Sequence, residues 1–489
     1  MPKQYFFISL RQNINLIMNT SIIGREQEIS RIQELYLSKK PEFIALFGRR
    51  RVGKTFLVRE LLEKKFVFDL AGLAKSGMKK QLLNFHYSLK KVATQDFTVP
   101  SSWLEAFEQL IAFLETSQAK RKVIFIDEVS WLDTKKSGFL TALEHFWNGW
   151  ACSKKEIMLI VCGSATSWII NNLINNHGGL YNRVTASIQL LPFTLNETEL
   201  FLRSKNIEWV RYQIAEIYMI MGGIPFYLEK IKRGKSVAQN IDSLFFSNVG
   251  ELKNEFSNLY ASLFDNSEDY EKIVEILSGS RSGLTRNEII AKAKMKSGNR
   301  ITTILNNLEY SGFIRSYAQP KRKKEQIFQM LDPLTLFHFH FLHKKKSRDE
   351  QFWTNSLNTS QHNTWAGLSF EILCLLHTRE IKKTLGILGV QSVEYAWHSR
   401  NSEPAVQIDL LIDRADNIVN LCEIKYANMQ YAITKDYEEN LREKIEVFRQ
   451  EVAPRKAIHL LMLTTFGVKQ NLYSGIMQNE ITLDNLFTH

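Results

Sequence analysis

The sequence predicts an α/β protein of several domains, led by a parallel sheet that carries a phosphate-binding loop. Three observations predict it. Short apolar runs at 43–47, 66–71, 123–127, 157–163 and about 186–191 alternate with helical patterns, as a parallel sheet with helices on both faces requires. The first run leads directly into Gly48-Arg49-Arg50-Arg51-Val52-Gly53-Lys54-Thr55, which reads G-x-x-x-x-G-K-T and opens a helical pattern at Phe56. Beyond residue 265, three short helical patterns and a hairpin precede a second region of strands and helices.

The eight-residue loop has a specific physical reading. Gly48 and Gly53 let the backbone curl so that its N–H groups point inward at phosphates. The following helix adds its positive end. Lys54 can reach the β and γ phosphates, and the Thr55 hydroxyl can face Mg²⁺. The nucleotide-binding set is therefore Gly48, Arg49, Arg50, Arg51, Val52, Gly53, Lys54, Thr55 and Phe56. Asp127 closes the apolar run 123–126 and is followed by Glu128. Such a pair meets the Walker B requirement: Asp127 holds Mg²⁺ opposite Thr55, and Glu128 orients and deprotonates the attacking water. An extra strand between the loop and Asp127 places the chain with NTPases that carry a catalytic glutamate there. Ser164, after the fourth strand, is either a γ-phosphate sensor or a helix cap. Arg183 is either a charge for the phosphates or a solvated arginine.

The 489 residues allow about three domains. Hydrophobic content of 44% and charged content of 23% are those of a globular protein. A net charge of +12 suits a polyanionic partner without requiring one. Cys152, Cys162, Cys374 and Cys422 lack paired spacing and read as reduced core thiols of a cytoplasmic protein. No apolar run approaches the roughly 18 residues of a membrane span. Residues 1–20 fit nothing that follows and read as a leader, either a disordered tail or a mis-assigned start, with Met18 as the alternative initiator.

The expected domains are a P-loop core at 21–200, a helical lid at 201–264, a winged helix-turn-helix at 265–346 and a second α/β domain at 347–489. The lid pattern is broken by Gly222-Gly223-Ile224-Pro225. In the third unit Thr285 and Glu288 have capping-box spacing, residues 299–310 form a third helix, and strands near 313–317 and 326–330 flank a basic tip, Lys321-Arg322-Lys323-Lys324. In the last domain residues 365–378 and 431–452 read as helices, and 390–397, 406–412, 418–425 and 458–464 as strands.

On these residues the chain resembles the archaeal-type ATPase family, in the STAND and origin-recognition neighbourhood of the AAA+ ATPases. The matching segments are Ile23-Gly24-Arg25-Glu26, the phosphate loop with Phe47, Ile126-Asp127-Glu128, Cys162-Gly163-Ser164, Tyr181-Asn182-Arg183 and Gly222-Gly223-Ile224-Pro225-Phe226-Tyr227. The resemblance implies that Pro225 touches the adenine from the lid, and that ATP rather than GTP is bound. The family has glycine where Asn182 stands, which departs from its arginine-finger pattern at Arg183.

Near the C-terminus, residues 406–413 and 418–426 form a hairpin. If it centres on Asp416, Asp409 faces Glu423 at a Cβ separation of about 5 Å, and Lys425 shares that face. Facing carboxylates repel unless a cation lies between them. Mg²⁺ could bridge them, with Lys425 activating or orienting a water against a phosphodiester. This set resembles the PD-(D/E)xK nuclease superfamily, a restriction-endonuclease-like fold, with Asp409, Glu423 and Lys425 in the motif and Glu371 as an auxiliary carboxylate on the preceding helix. The alternative is a hairpin with solvated charges.

The sequence thus predicts an ATP- and Mg²⁺-dependent enzyme acting on nucleic acid, with DNA as the expected partner. Arg300 and the basic tip supply phosphate contacts unless the winged helix packs on protein instead. Self-association stays open. The other class of function is an ATP/ADP regulatory switch whose C-terminal domain binds but no longer cuts.

Overall fold

The computed structural model describes residues 22–175, 178–319, 325–343, 349–399, 406–452 and 455–488. The basic tip 321–324 and the leader lie outside them. The chain divides into two compact units, up to Leu191 and from Pro192 onward.

Five strands build the first unit: β1 (Glu42–Phe47), β2 (Phe66–Ala71), β3 (Lys122–Asp127), β4 (Ile157–Gly163) and β5 (Ala186–Gln189). All neighbours pair in parallel, in the order β2-β3-β4-β1-β5. β1, β3 and β4 are buried along their whole length, which explains their unbroken apolar sequence. Phe85, Trp103, Phe107, Leu110, Phe139 and Phe146, on three flanking helices, close over one face of the sheet. β4 lies between β1 and β3, so the strand carrying Ser164 separates the phosphate-loop strand from the Asp127 strand.

The second unit begins with helices Leu195–Ser204 and Arg211–Met221. Gly222 and Gly223 both have φ +66° and turn the chain, and Pro225 opens the single helical turn Pro225–Leu228. A Cβ on Gly223 would lie 2.2 Å from the Phe193 carbonyl oxygen, so only glycine fits there. Helices Ser267–Ser278, Arg286–Ala293 and Asn299–Tyr310 follow. Thr285 and Glu288 form the expected capping box. β6 (Leu284–Thr285), β7 (Ile314–Ala318) and β8 (Gln326–Met330) make a small sheet in the order β6-β8-β7.

A five-stranded sheet, β15-β13-β11-β10-β9, forms the C-terminal core from β9 (Ser392–His398), β10 (Gln407–Arg414), β11 (Ile418–Lys425), β13 (Ala457–Thr464) and β15 (Asn479–Thr482). β9, β10 and β11 are antiparallel, while β11, β13 and β15 are parallel. Helix Ser360–Leu376 precedes this sheet, and helix Lys435–Val452 joins β11 to β13. The helix expected from 431 starts at Lys435 instead. Tyr431 and Ala432 form β12 and pair with β14 (Val468–Lys469), whose backbone supplies the partner that a helix would forfeit. Tyr317 and Ile327 of the β7–β8 hairpin pack into the core beneath this sheet, with Tyr395 and Trp397. Gln319 donates to the Ala396 carbonyl at 3.3 Å. The hairpin is therefore seated on protein along its strands.

Among the described residues no helix is long and apolar enough to cross a membrane. All four cysteines are free thiols.

Candidate functional site

The phosphate loop joins β1 to helix Lys54–Leu62. Gly48 has φ +147°, and a Cβ there would lie 2.2 Å from the Leu190 carbonyl oxygen. Gly53 has φ +93° and is the helix N-cap, and Arg51 is also left-handed at φ +72°. Arg49 and Val52 are buried, whereas Phe56 is half exposed at 53%. Lys54 Nζ donates to the carbonyls of Gly48 and Arg49, each at 2.9 Å, so the ammonium lies inside the loop. Burial pulls its pKa down, and Glu128 and Asp127 oppose that pull.

Thr55 Oγ1 donates to Asp127 Oδ2 at 2.8 Å across 72 residues of sequence. These two oxygens are the hard donors a Mg²⁺ ion takes, and they already converge. Glu128 leaves the strand with φ +46°, and its carboxylate turns toward β4. There the Ser164 backbone N–H donates at 3.1 Å and the Ser164 hydroxyl at 3.0 Å. Ser164 caps no helix, since the following turn starts at Thr166 with Ala165 at its N-cap. Arg183 is exposed, just after left-handed Asn182. Pro225 belongs to the other compact unit.

The C-terminal constellation has the expected register. Leu410 faces Cys422 and Leu411 faces Leu421, the register of a hairpin centred on Asp416; this pairing stops one residue short of Asp409 and Glu423, and β10 is irregular against β9 between Ile408 and Leu411. Lys425 Nζ lies 3.0 Å from Glu423 Oε1. Glu371, Asp409 and Glu423 are all buried.

One expectation is corrected here. The three carboxylates do not close into a metal-ligating cluster, and among the described residues no three His, Cys, Asp or Glu do. The cations around them are protein side chains. Arg281 Nε donates to Glu371 Oε2 at 2.8 Å, and its Nη2 bonds both Glu371 Oε1 and, at 2.9 Å, Asp409 Oδ2. Lys444 Nζ donates to both oxygens of Glu423, at 3.1 and 2.9 Å, and the Tyr437 hydroxyl donates to the same carboxylate at 2.6 Å. The electrostatic consequences differ by position. Burial pushes Glu371 up and the Asp409 charge adds to it; burial likewise raises Asp409. Burial also opposes the Glu423 charge, but Lys444 and Lys425 win and hold it below the usual carboxylate value.

Residues 22–231 match the family model described as an ATPase domain predominantly from Archaea. Those residues form an archaeal-type P-loop ATPase domain. It binds and hydrolyses ATP. The ATPase is 25% identical over 359 residues to an uncharacterised protein of Methanocaldococcus jannaschii, covering 71% of this chain and 75% of that one. Forty-three residues, 9% of the chain, are 40% identical to an uncharacterised ATP-binding protein of the same organism, over 73% of its length. Among solved structures it is similar to a Walker-type ATPase of Pyrococcus abyssi, at 19% identity and TM-score 0.48, covering 67% of this chain and 99% of that one. It is also similar to the ORC2 protein of Aeropyrum pernix, at 12% identity and TM-score 0.41, covering 67% and 96%.

Sequence reasoning about this ATPase missed Arg281, Lys444 and Tyr437. Two of them left a signal. Leu441 and Phe448 are the buried residues of helix Lys435–Val452. Tyr437 and Lys444 stand at i−4 and i+3 from Leu441, so both polar groups share its apolar stripe. Arg281 stands between Ser280 and Ser282 in a short connection and left none.

Proposed function

We propose that this ATPase couples nucleotide binding to action on nucleic acid, with a nuclease-like C-terminal domain. In the N-terminal site Lys54 grips the β and γ phosphates, and backbone N–H groups from Gly48 to Phe56 cradle them. Thr55 and Asp127 would hold Mg²⁺, which would supply charge neutralisation at the phosphates. Glu128 orients and deprotonates the attacking water, and Ser164 aims Glu128. Arg183 supplies positive charge on the phosphate side.

The observation that carries the C-terminal reading is the hairpin register Leu410 to Cys422, next to Asp409 and Glu423, with Lys425 beside Glu423 at 3.0 Å. The three carboxylates form no group that could hold a metal as they stand, so the reading leans on Lys425 beside Glu423. Lys425 then positions a water. The winged helix formed by residues 265–346, with Arg300 and the tip 321–324, brings the polyanion.

The test is cleavage of labelled single- and double-stranded DNA with Mg²⁺ or Mn²⁺, with and without ATP, comparing wild type with Lys425→Ala. Cleavage lost in the variant supports the reading. No cleavage under any condition overturns it. A second reading, an ATP/ADP switch with a C-terminal domain that binds without cutting, draws on one observation: Arg281, Lys425 and Lys444 already neutralise the three carboxylates.

A further inference from the structure

Helix Met78–Val92 follows β2 and packs by one stripe, through Gln81, Leu82, Phe85 and Leu89. Fully buried Gln81 fixes it in place. Its side-chain oxygen accepts from the Leu73 N–H at 3.0 Å, and its Nε2 donates to the carbonyls of Leu73 at 2.7 Å and Trp131 at 2.9 Å. Asn84 Nδ2 donates to the Ala71 carbonyl at 2.8 Å. The helix therefore offers its other face as a rigid surface.

That face has an unusual composition. At about 100° per residue, Lys79, Lys80, Leu83, Tyr87, Lys90 and Lys91 share roughly a third of the helix circumference. All six are exposed, Leu83 by 37% and Tyr87 by 55%. From Leu70 to Gln95 the chain has five lysines, the fifth being exposed Lys75, and neither Asp nor Glu. Among the described residues none of these lysines pairs with a carboxylate. The pairs Lys79-Lys80 and Lys90-Lys91 lie about 16 Å apart along the axis, with Leu83 and Tyr87 between them.

Charge complementarity selects a polyanion, whose phosphates neutralise such a row and release counterions. A helix that lies on a membrane needs a broad apolar face, and the apolar stripe of this one is spent on the core. A half-exposed ring between lysines suits an unpaired base, because any base has a face to stack. We propose that the outer face of helix Met78–Val92 docks a single strand of nucleic acid, with phosphates on the two lysine pairs and a base on the Tyr87 ring. This rests on the reading that the protein acts on nucleic acid, and not on the chemistry of its C-terminal domain.

The test is fluorescence anisotropy of a labelled single-stranded oligonucleotide of mixed sequence with the full chain over a series of salt concentrations. Replacing Lys79, Lys80, Lys90 and Lys91 together by glutamine, which keeps the helix propensity, is expected to weaken binding at least tenfold. The slope of log Kd against log salt should fall by about 0.7 for each phosphate contact removed. Tyr87→Ala should weaken binding by about tenfold and leave that slope unchanged, since stacking releases no counterion. Loss of binding in the lysine variant with none in Tyr87→Ala overturns the base contact and with it the single-strand assignment. Wild-type affinity in both variants, beside weaker binding when Lys321 to Lys324 are replaced by alanine, overturns this surface and leaves the nucleic-acid reading standing. No oligonucleotide binding by the wild type, even at low salt, overturns both, whether or not it binds phosphatidylglycerol vesicles or polyglutamate. Thermal unfolding monitors the fold of each variant. Should the fourfold variant unfold, the pair Lys79→Gln and Lys80→Gln replaces it, and an unchanged affinity and slope then overturn the surface.

Discussion

Ser164 holds Glu128 by two hydrogen bonds, its backbone N–H at 3.1 Å and its hydroxyl at 3.0 Å. The serine sits at the end of β4 and the glutamate at the end of β3, so the contact spans two neighbouring strands. The backbone N–H part of the grip survives Ser164→Ala. Ser164→Ala should therefore lower kcat by about 10- to 100-fold, the range of a weakened positioning contact, with ATP affinity within a few-fold of wild type. Steady-state kinetics beside a direct nucleotide-binding measurement check this. Equal losses in kcat and in ATP affinity would point to a phosphate contact instead.

Gly48→Ala places a Cβ 2.2 Å from the Leu190 carbonyl oxygen at a φ of +147°. Two backbone segments must then move apart, and the loop carbonyls that seat Lys54 move with them. ATP binding should be lost, with a destabilisation of about 2–4 kcal/mol. Lys54→Ala should also abolish hydrolysis but leave thermal stability close to wild type. Comparing melting temperatures of the two variants separates backbone strain from the loss of a charge.

His377 is buried and neutral. Its Nε2 accepts from the Leu195 N–H at 2.9 Å, at the start of helix Leu195–Ser204, and its Nδ1 bonds the Leu373 carbonyl at 2.8 Å. Burial pulls its pKa down to about 4. With an unfolded value near 6.5, the unfolded chain binds the proton first as pH falls. Its stability contribution is thus complete above pH 6.5 and is lost progressively from 6.5 to 4. Denaturant unfolding should lose about 2–3 kcal/mol over that window, and His377→Gln should flatten the pH dependence there.

The basic tip should matter through salt. Replacing Lys321, Arg322, Lys323 and Lys324 together by alanine should reduce the slope of log Kd for DNA against log salt by about 0.9 for each phosphate contact removed. ATP turnover without DNA should not change. A slope equal to that of wild type would remove the tip from the interface.

Much of this molecule is written locally in its chain. The strands of the N-terminal sheet and the loop at 48–55 follow from apolar runs and from glycines whose φ values only glycine adopts easily. The Thr285–Glu288 capping box and the β10–β11 register centred on Asp416 follow from spacing alone, because a hairpin has a side-chain period of two. Tertiary structure decided what those side chains bond. It turned Ser164 onto Glu128 rather than onto a helix end, seated the β7–β8 hairpin on the C-terminal sheet, and sent Arg281 across 128 residues to Asp409. Spacing governs neighbours along a strand or a helix, whereas a buried carboxylate takes whichever cation the folded chain brings within about 3 Å, and no local pattern encodes that meeting.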